Sequence, residues 1–339
     1  MPRIRARRSD GADNTNSNRF LLPRLRAGKV IPIVSNQLIL ERLVGGIPVA
    51  TYLADRLGYP SLSKAANEPT IAHVLEVHRM MSDSLTANED YLDAIKFLLL
   101  ERARQDTMIS AELVAAMEGQ FGKLTVTQLA RELNVEQSRG PQLDPLRLLA
   151  EFPLPIYLTS SHHGLLEEAL RMAGKEPRTM ICPWKETLAN FADPLSDPNF
   201  EPSPERPLVF HLMGLDDSPD SLVLTEDDVL QFLMGISADI GRHNDTIPVR
   251  IRQALSESSL LLLGYSVEAW ECKSLVYGPL ADRARPLSSL FVCPLQSEAS
   301  EAWRLYAEAW LRQREMEIHW GHPSDYLREL YEAWNEDLK

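Results

Sequence analysis

Thr159-Ser160-Ser161-His162-His163 is the stretch of this chain whose residue types are best suited to chemistry. Imidazoles exchange protons near neutral pH, and hydroxyls both donate and accept hydrogen bonds. Side by side they suit general-base work on a polar ligand, or its recognition. The flanking residues show what must position them. Ile156, Tyr157 and Leu158 are strand formers, whereas Leu165, Leu166, Ala169 and Leu170 recur at helical spacing. Pro153 to Leu170 therefore reads as a buried strand, a polar tip and an amphipathic helix, with Thr159, Ser160 and Ser161 as N-cap types. In open α/β sheets such a strand end is the usual ligand site, because free amides and the positive end of the helix dipole meet there.

Other segments repeat the pattern. Val30 to Val34 is an apolar strand followed by the turn Ser35-Asn36-Gln37, the place where a nucleotide fold puts its phosphate loop. That turn has no glycine, which close backbone approach to a pyrophosphate usually requires. Thr179 to Pro183, Leu208 to Gly214, Ser259 to Ser266, Leu287 to Leu295 and Met316 to Trp320 complete the strands, and helices alternate with most of them. The expectation is an α/β fold, a doubly wound parallel Rossmann-like sheet. From about Ile39 to Leu149 every apolar face has helical period, which predicts a large helical insertion over about 40–150. His73 and His78 within it read as surface or structural residues. Thr225 with Asp228 reads as a capping pair, and Glu226, Asp227 and Asp228 as first-turn acids rather than metal ligands. No metal site is expected.

The chain has 339 residues, 44% hydrophobic and 24% charged, with a net charge of −13. Such acidity argues against direct nucleic-acid binding. No apolar run approaches the roughly 18 residues of a membrane span, no secretory signal is visible, and the 3 cysteines are scattered, so a cytoplasmic location is expected. Residues 1–19 are poor in apolar side chains and carry Arg3, Arg5, Arg7, Arg8 and Arg19, which predicts a flexible basic tail or a docking arm. Residues 20–339 are then one α/β domain carrying the insertion.

Taken in order, several segments resemble the sirtuin-like family, in particular its bacterial antiphage-defence branch. They are Gly28-Lys-Val-Ile-Pro32, Pro155 to Ser161 with Leu165 to Leu170, Val209 to Gly214, Ser221 to Asp228, Leu260 to Trp270 and Ile318 to Gly321. The resemblance implies a Rossmann-like sheet without a zinc ribbon, NAD binding, and cleavage of the nicotinamide–ribose bond. It also implies NAD depletion on infection.

This chain departs from the family at the positions that do that chemistry. The family's Gly-x-Gly turn falls on Ser35, Asn36 and Gln37. Its Thr-Thr-Asn falls on Thr159, Ser160 and Ser161, its aspartate on His163, and its histidine before glycine on Met213. The later Gly-x-Ser is kept at Gly264 and Ser266, with Tyr265 between them. The resemblance thus implies a cofactor site for NAD or an ADP-ribose-type nucleotide made of Ser35, Asn36, Gln37, Thr159, Met213, Gly264, Tyr265 and Ser266. Serine reaches less far than asparagine, and methionine cannot take a proton. His211, two positions before Met213, is expected to share its face and point into the same site. His162 and His163 are further candidates for the base.

Two expectations follow. One is a pseudoenzyme, a catalytically degenerate member acting as scaffold or nucleotide sensor in a defence complex, as a homo-oligomer or with a partner protein. The spread of Trp270, Trp303, Trp310, Trp320 and Trp334 would furnish the interface or pack the core. The other is an active NAD hydrolase with a rearranged site, in which His211 or His163 is the base and Ser161 contacts the ribose. A dehydrogenase is a distant third reading, since it needs a glycine-rich dinucleotide loop and the sequence shows none.

Overall fold

A computed structural model describes residues 14–60, 69–134, 144–188, 191–238, 246–281, 288–294 and 300–336. The basic stretch with Arg3, Arg5, Arg7 and Arg8 lies outside them. The first helix, α1 (Asn14–Arg26), begins earlier than composition suggests and takes in 14–19. Strand β1 (Val30–Val34) follows and leads into α2 (Asn36–Val44). The helices α3 (Val49–Arg56), α4 (Ile71–Met81), α5 (Ser84–Gln105), α6 (Ala111–Glu118), α7 (Val126–Glu132) and α8 (Pro145–Glu151) separate α2 from β2 (Ile156–Thr159). No described residue between β1 and β2 is a strand. Five of these starts have a side-chain cap. Thr70, Asp83, Ser110, Thr125 and Asp144 accept amides of the first turn, and Thr125 with Gln128 forms a full capping box.

The rest alternates. Helix α9 (Leu165–Met172) and strand β3 (Arg178–Ile181) precede β4 (Leu208–His211), and α10 (Glu226–Ala238) and α11 (Val249–Glu257) precede β5 (Ser259–Leu263). Helix α12 (Trp270–Tyr277), β6 (Ser289–Cys293), α13 (Glu301–Arg312), β7 (Met316–Trp320) and α14 (Pro323–Glu336) finish the chain. All seven strands are parallel, in the order β3-β4-β2-β1-β5-β6-β7. The chain leaves β1 toward β2 and later returns to its other side through β5, so the topological switch lies at β1.

Alternation along the strands divides the core. Val30, Val34, Tyr157, Val209, Leu261, Leu263, Leu290 and Val292 face α1, the helical insertion, α8, α9 and α14. Ile31, Ile33, Leu158, Phe210, Leu260, Leu262 and Phe291 face Phe232, Ile251, Leu275 and Leu311 of the helices on the opposite side. A sheet buried on both faces needs near-continuous apolar strands, and β1 and β5 are buried at every position. This is the doubly wound α/β architecture expected.

Registers align the strand ends at one level: Val34 pairs with Thr159 and Leu263, and Thr159 pairs with His211. Beyond them, the Ser35 amide bonds Leu263 O at 3.0 Å and the Ser160 amide bonds Val34 O at 3.0 Å. The turns after β1, β2, β4 and β5 therefore converge on one edge of the sheet.

Candidate functional site

A cavity of about 690 Å³ opens over that edge, within the range usual for small-molecule sites. Its floor comes from the turns and helix starts after the strands: Asn36 and Gln37 after β1, Ser160 and His162 after β2, Met213 after β4, and Glu268 to Glu271 after β5. One wall is α2, with Leu40 and Val44; another is the start of α10, with Thr225 and Val229. The insertion adds a third, through Thr70, Ile71 and Ala72 at the start of α4 and Tyr91 of α5. Arg79 of α4 ties that wall down by a bidentate pair with Asp228 of α10, at 2.8 and 2.9 Å. Asp228 also accepts the Thr225 amide, while Thr225 accepts the Asp228 amide, so the expected capping pair is reciprocal.

At the switch point a side chain occupies the helix terminus. The first amide of α2, from Asn36, donates to Glu271 Oε1 at 2.8 Å, and the Ser160 hydroxyl donates to the same oxygen. Ser160 is held in turn by the Tyr265 hydroxyl at 2.8 Å, which also reaches Val34 O at 3.2 Å. Burial raises the pKa of Glu271, against the opposing pull of the Ser160 and Asn36 bonds. The positive end of α2, where an anionic ligand would bind in this fold, thus holds the protein's own carboxyl group.

The three histidines at the strand ends have separate fates. His211 is buried on the α9 side, its Nδ1 bonded to Ser161 O at 2.9 Å and its Nε2 to Glu167 Oε1 at 2.8 Å. Burial alone would lower the pKa of His211, but the Glu167 carboxylate outweighs it and raises it. The expected shared face with Met213 fails because β4 ends at His211. Two-residue alternation holds only within a strand. The chain then turns through Gly214 at φ +88, and Met213 lines the cavity while His211 does not.

His163 is also outside the cavity lining. Its Nδ1 lies 3.4 Å from Asp216 Oδ2, which also accepts the Thr127 amide at 2.7 Å and its hydroxyl at 2.9 Å. It therefore ties the tip to α7 of the insertion. His162 is the histidine in the lining. Tyr91 OH meets its Nδ1 at 3.3 Å, and the ring is also hydrogen-bonded to the Val223 backbone. Burial, reinforced by neighbouring His163, lowers its pKa to about 3, so the ring is neutral at physiological pH.

The remaining expected residues divide the same way. Asn36, Gln37 and Met213 line the cavity. Ser35 is fully buried as the N-cap of α2, accepting the Leu38 amide at 3.1 Å. Thr159 donates to Val34 O at 2.9 Å and accepts the Ser161 amide, and Ser161 exchanges bonds with the His163 backbone. These residues build the tip rather than the lining. Gly264, at φ +81, lets β5 pass α2, since a Cβ there would lie 2.6 Å from Ser35 Oγ and 2.9 Å from Leu38 Cβ. Tyr265 supports Ser160 from beneath, and Ser266 accepts the Ala269 amide through its carbonyl.

Ser160 belongs to the polar tip but was not expected in the lining, and Tyr91, Trp270 and Glu271 were not expected at the site at all. Trp270 ends the segment Leu260 to Trp270, and Glu271 is one residue beyond it. Tyr91 carried no signal, being one apolar position of a long helix. The charged side chains of the lining are Glu41, Glu226, Glu268 and Glu271; no lysine or arginine lines it among the described residues. No described cluster of three histidines, cysteines or acids could hold a metal ion. No described helix is long and apolar enough to cross a membrane.

Comparison with known families gives one match for this arrangement. No curated protein matches the chain. Residues 155–311, which contribute β2 through β6 and most of α13, match the SIR2-like domain.

Proposed function

We propose that the protein is a sirtuin-like component of a bacterial antiphage-defence assembly that does not turn NAD over, and that it acts by binding, as a scaffold or a nucleotide sensor. The carrying observation is the Glu271 carboxyl seated on the Asn36 amide and the Ser160 hydroxyl. An anionic diphosphate seeking the α2 terminus meets a carboxylate already there. Like charges brought together at a partly buried site repel. The likeness of residues 155–311 to SIR2-like domains supports an NAD-related nucleotide as the ligand class to test first. The proposed assembly is a homo-oligomer or a complex with a partner protein.

The candidate bases support the same reading. His211 is committed to Glu167, and His163 to Asp216. His162 remains in the lining, but an imidazole of pKa about 3 is a weak base for removing a ribose proton. Incubation with NAD followed by chromatography for nicotinamide tests the proposal. No release above buffer is expected, with the chain alone or with its assembly partner, and release would sink it. The second reading, an NAD hydrolase, is favoured only by His162 in the lining beside Ser160. Under it, His162→Gln would abolish the release that the wild type shows.

A further inference from the structure

The two edges of the sheet are finished differently, and the difference carries an inference about assembly. At one edge, β3 begins with Arg178, and the turn Pro194–Ser196 packs against it. At the other edge lies β7, with β6 alongside it and α13 over one face. An open edge strand invites pairing, and many proteins blunt it with lysine, proline or a bulge. The sequence of β7, Met316-Glu-Ile-His-Trp320, has neither lysine nor proline, and it pairs with β6 residue for residue without a bulge.

The ladder with β6 fixes which backbone groups are free. The Ser289 amide donates to Glu315 O at 3.4 Å, and the Gly321 amide donates to Cys293 O at 3.0 Å. Odd-numbered residues thus turn their backbone groups to β6, and Met316, Ile318 and Trp320 turn theirs outward. Among the described residues, no backbone partner reaches those outward groups. Their side chains lie on the α13 face, where Ile318 and Trp320 are half-buried against the core. On the other face Glu317 is exposed, and His319 stacks on Tyr326 of α14 at 4.8 Å.

Two copies related by a twofold axis can pair such edges only antiparallel. Outward groups must meet outward groups, so the axis passes through a residue rather than between two. An axis at Glu317 would set that carboxylate against its own copy, and an axis at His319 would set imidazole against imidazole. Axes nearer either end pair fewer residues. An axis at Ile318 pairs the whole strand. Met316 then meets Trp320 of the partner subunit, and Glu317 meets His319 of the partner subunit in the pairs where side chains are closest. Burial lowers the pKa of His319, so its neutral ring offers an N–H that the carboxylate accepts.

We propose that β7 is the self-association edge of this protein, pairing antiparallel with β7 of a second copy about an axis at Ile318. The sheet then runs continuously through both protomers, and Ile318 and Trp320 become covered. The inference rests on the homo-oligomeric form of the proposed assembly and does not depend on nucleotide chemistry.

Sedimentation velocity of the full chain tests it. A dimer is expected at micromolar concentration. Ile318→Pro removes an outward N–H without touching the ladder to β6, so it should leave a monomer whose melting temperature stays near wild type. Cysteine cross-linking with oxidised glutathione reads the register, since the native Cys182, Cys272 and Cys293 are buried. Glu317→Cys and His319→Cys chains should form a disulfide-linked dimer when mixed, and neither should link to itself. This second readout decides the matter if the proline variant fails to fold. A monomeric wild type, a dimer that persists in a folded Ile318→Pro chain, or a single-cysteine chain that links to itself as fast as the mixture would overturn the proposal. A wild-type dimer with neither signature would overturn the edge pairing and leave the homo-oligomer standing. Nicotinamide release from NAD would overturn the preceding reading and leave the edge pairing untouched.

Discussion

Glu271 shows how one side chain changes what a strand-end site can hold. A carboxyl group on a helix N-terminus satisfies an orphan amide and the dipole together, as a phosphate would. Glu271→Gln keeps an oxygen for the Asn36 amide but removes the charge. It should raise the affinity for ADP-ribose by about tenfold, which is the effect of removing roughly 1.4 kcal/mol of repulsion. The raised pKa of Glu271 fixes the sign of a pH effect. Its protonation sets in above the ordinary glutamate range, so wild-type ADP-ribose binding should strengthen as pH falls from 8 to 5. The variant should lose most of that dependence in calorimetry. A variant binding no better than wild type would refute the plug.

His211 makes the opposite point, since a histidine at a ligand edge can be wholly structural. With Glu167 it forms a fully buried pair, which Thr179 joins through its hydroxyl at 2.9 Å. Burial opposes ionisation of Glu167, but His211 outweighs it and lowers its pKa. The pair therefore stabilises fully between the unshifted values of 4.5 and 6.5. That contribution fades as pH rises through the raised value of His211, and again as pH falls through the lowered value of Glu167. Thermal melts should place the stability maximum in that window. His211→Ala, leaving a buried carboxylate unpaired, should cost about 3–5 kcal/mol in denaturant titrations.

Among the elements, the contact of the β5 turn with the start of α2 is the tightest constraint on the site. Gly264 sits at φ +81 with Ser35 and Leu38 directly above it. Gly264→Ala adds a left-handed alanine and a clash with a helix cap, so a loss of about 1–3 kcal/mol is expected in chemical denaturation. The retained glycine of the Gly-x-Ser is thus explained by helix–strand packing. The substituted Gly-x-Gly turn is explained likewise: Ser35 closes α2 as an N-cap, and nothing there requires a glycine. The helical insertion was legible because its helices carry apolar stripes and all but α3 a side-chain cap. Its role as a wall was not, because that depends on where Tyr91 and the start of α4 land after packing.

For the whole molecule, the insertion and the sheet share one cavity, and Arg79 is the fastening between them. Beyond Asp228, its guanidinium reaches Thr225 at 3.2 Å and Asn88 at 3.3 Å, linking α4, α5 and α10. Arg79→Ala should cost about 3 kcal/mol, because Asp228 is left nearly buried without its cation. Limited proteolysis should then cut α4 faster while the sheet persists. Unchanged cleavage would mean that apolar packing alone holds the wall. The tryptophans follow a similar logic. Trp303, Trp310 and Trp320 pack against one core cluster and Trp334 against the other, whereas Trp270 stands 45% exposed at the cavity.

The order of strands and helices was determined by the sequence, since apolar runs, caps and glycine stops act over a few residues and survive any packing. The edge on which ligands gather followed from that order. Which side chains occupy the edge was decided only by the tertiary structure. Alternation ends where a strand ends: His211, the last residue of β4, and His163, in the turn after β2, enter structural bonds, while the turns bring Ser160, His162 and Met213 to the cavity. Glu271 meets Asn36 across 235 residues of chain, a contact that no local pattern encodes because the starts of α12 and α2, which pack in different core clusters, meet only at the edge of the folded sheet.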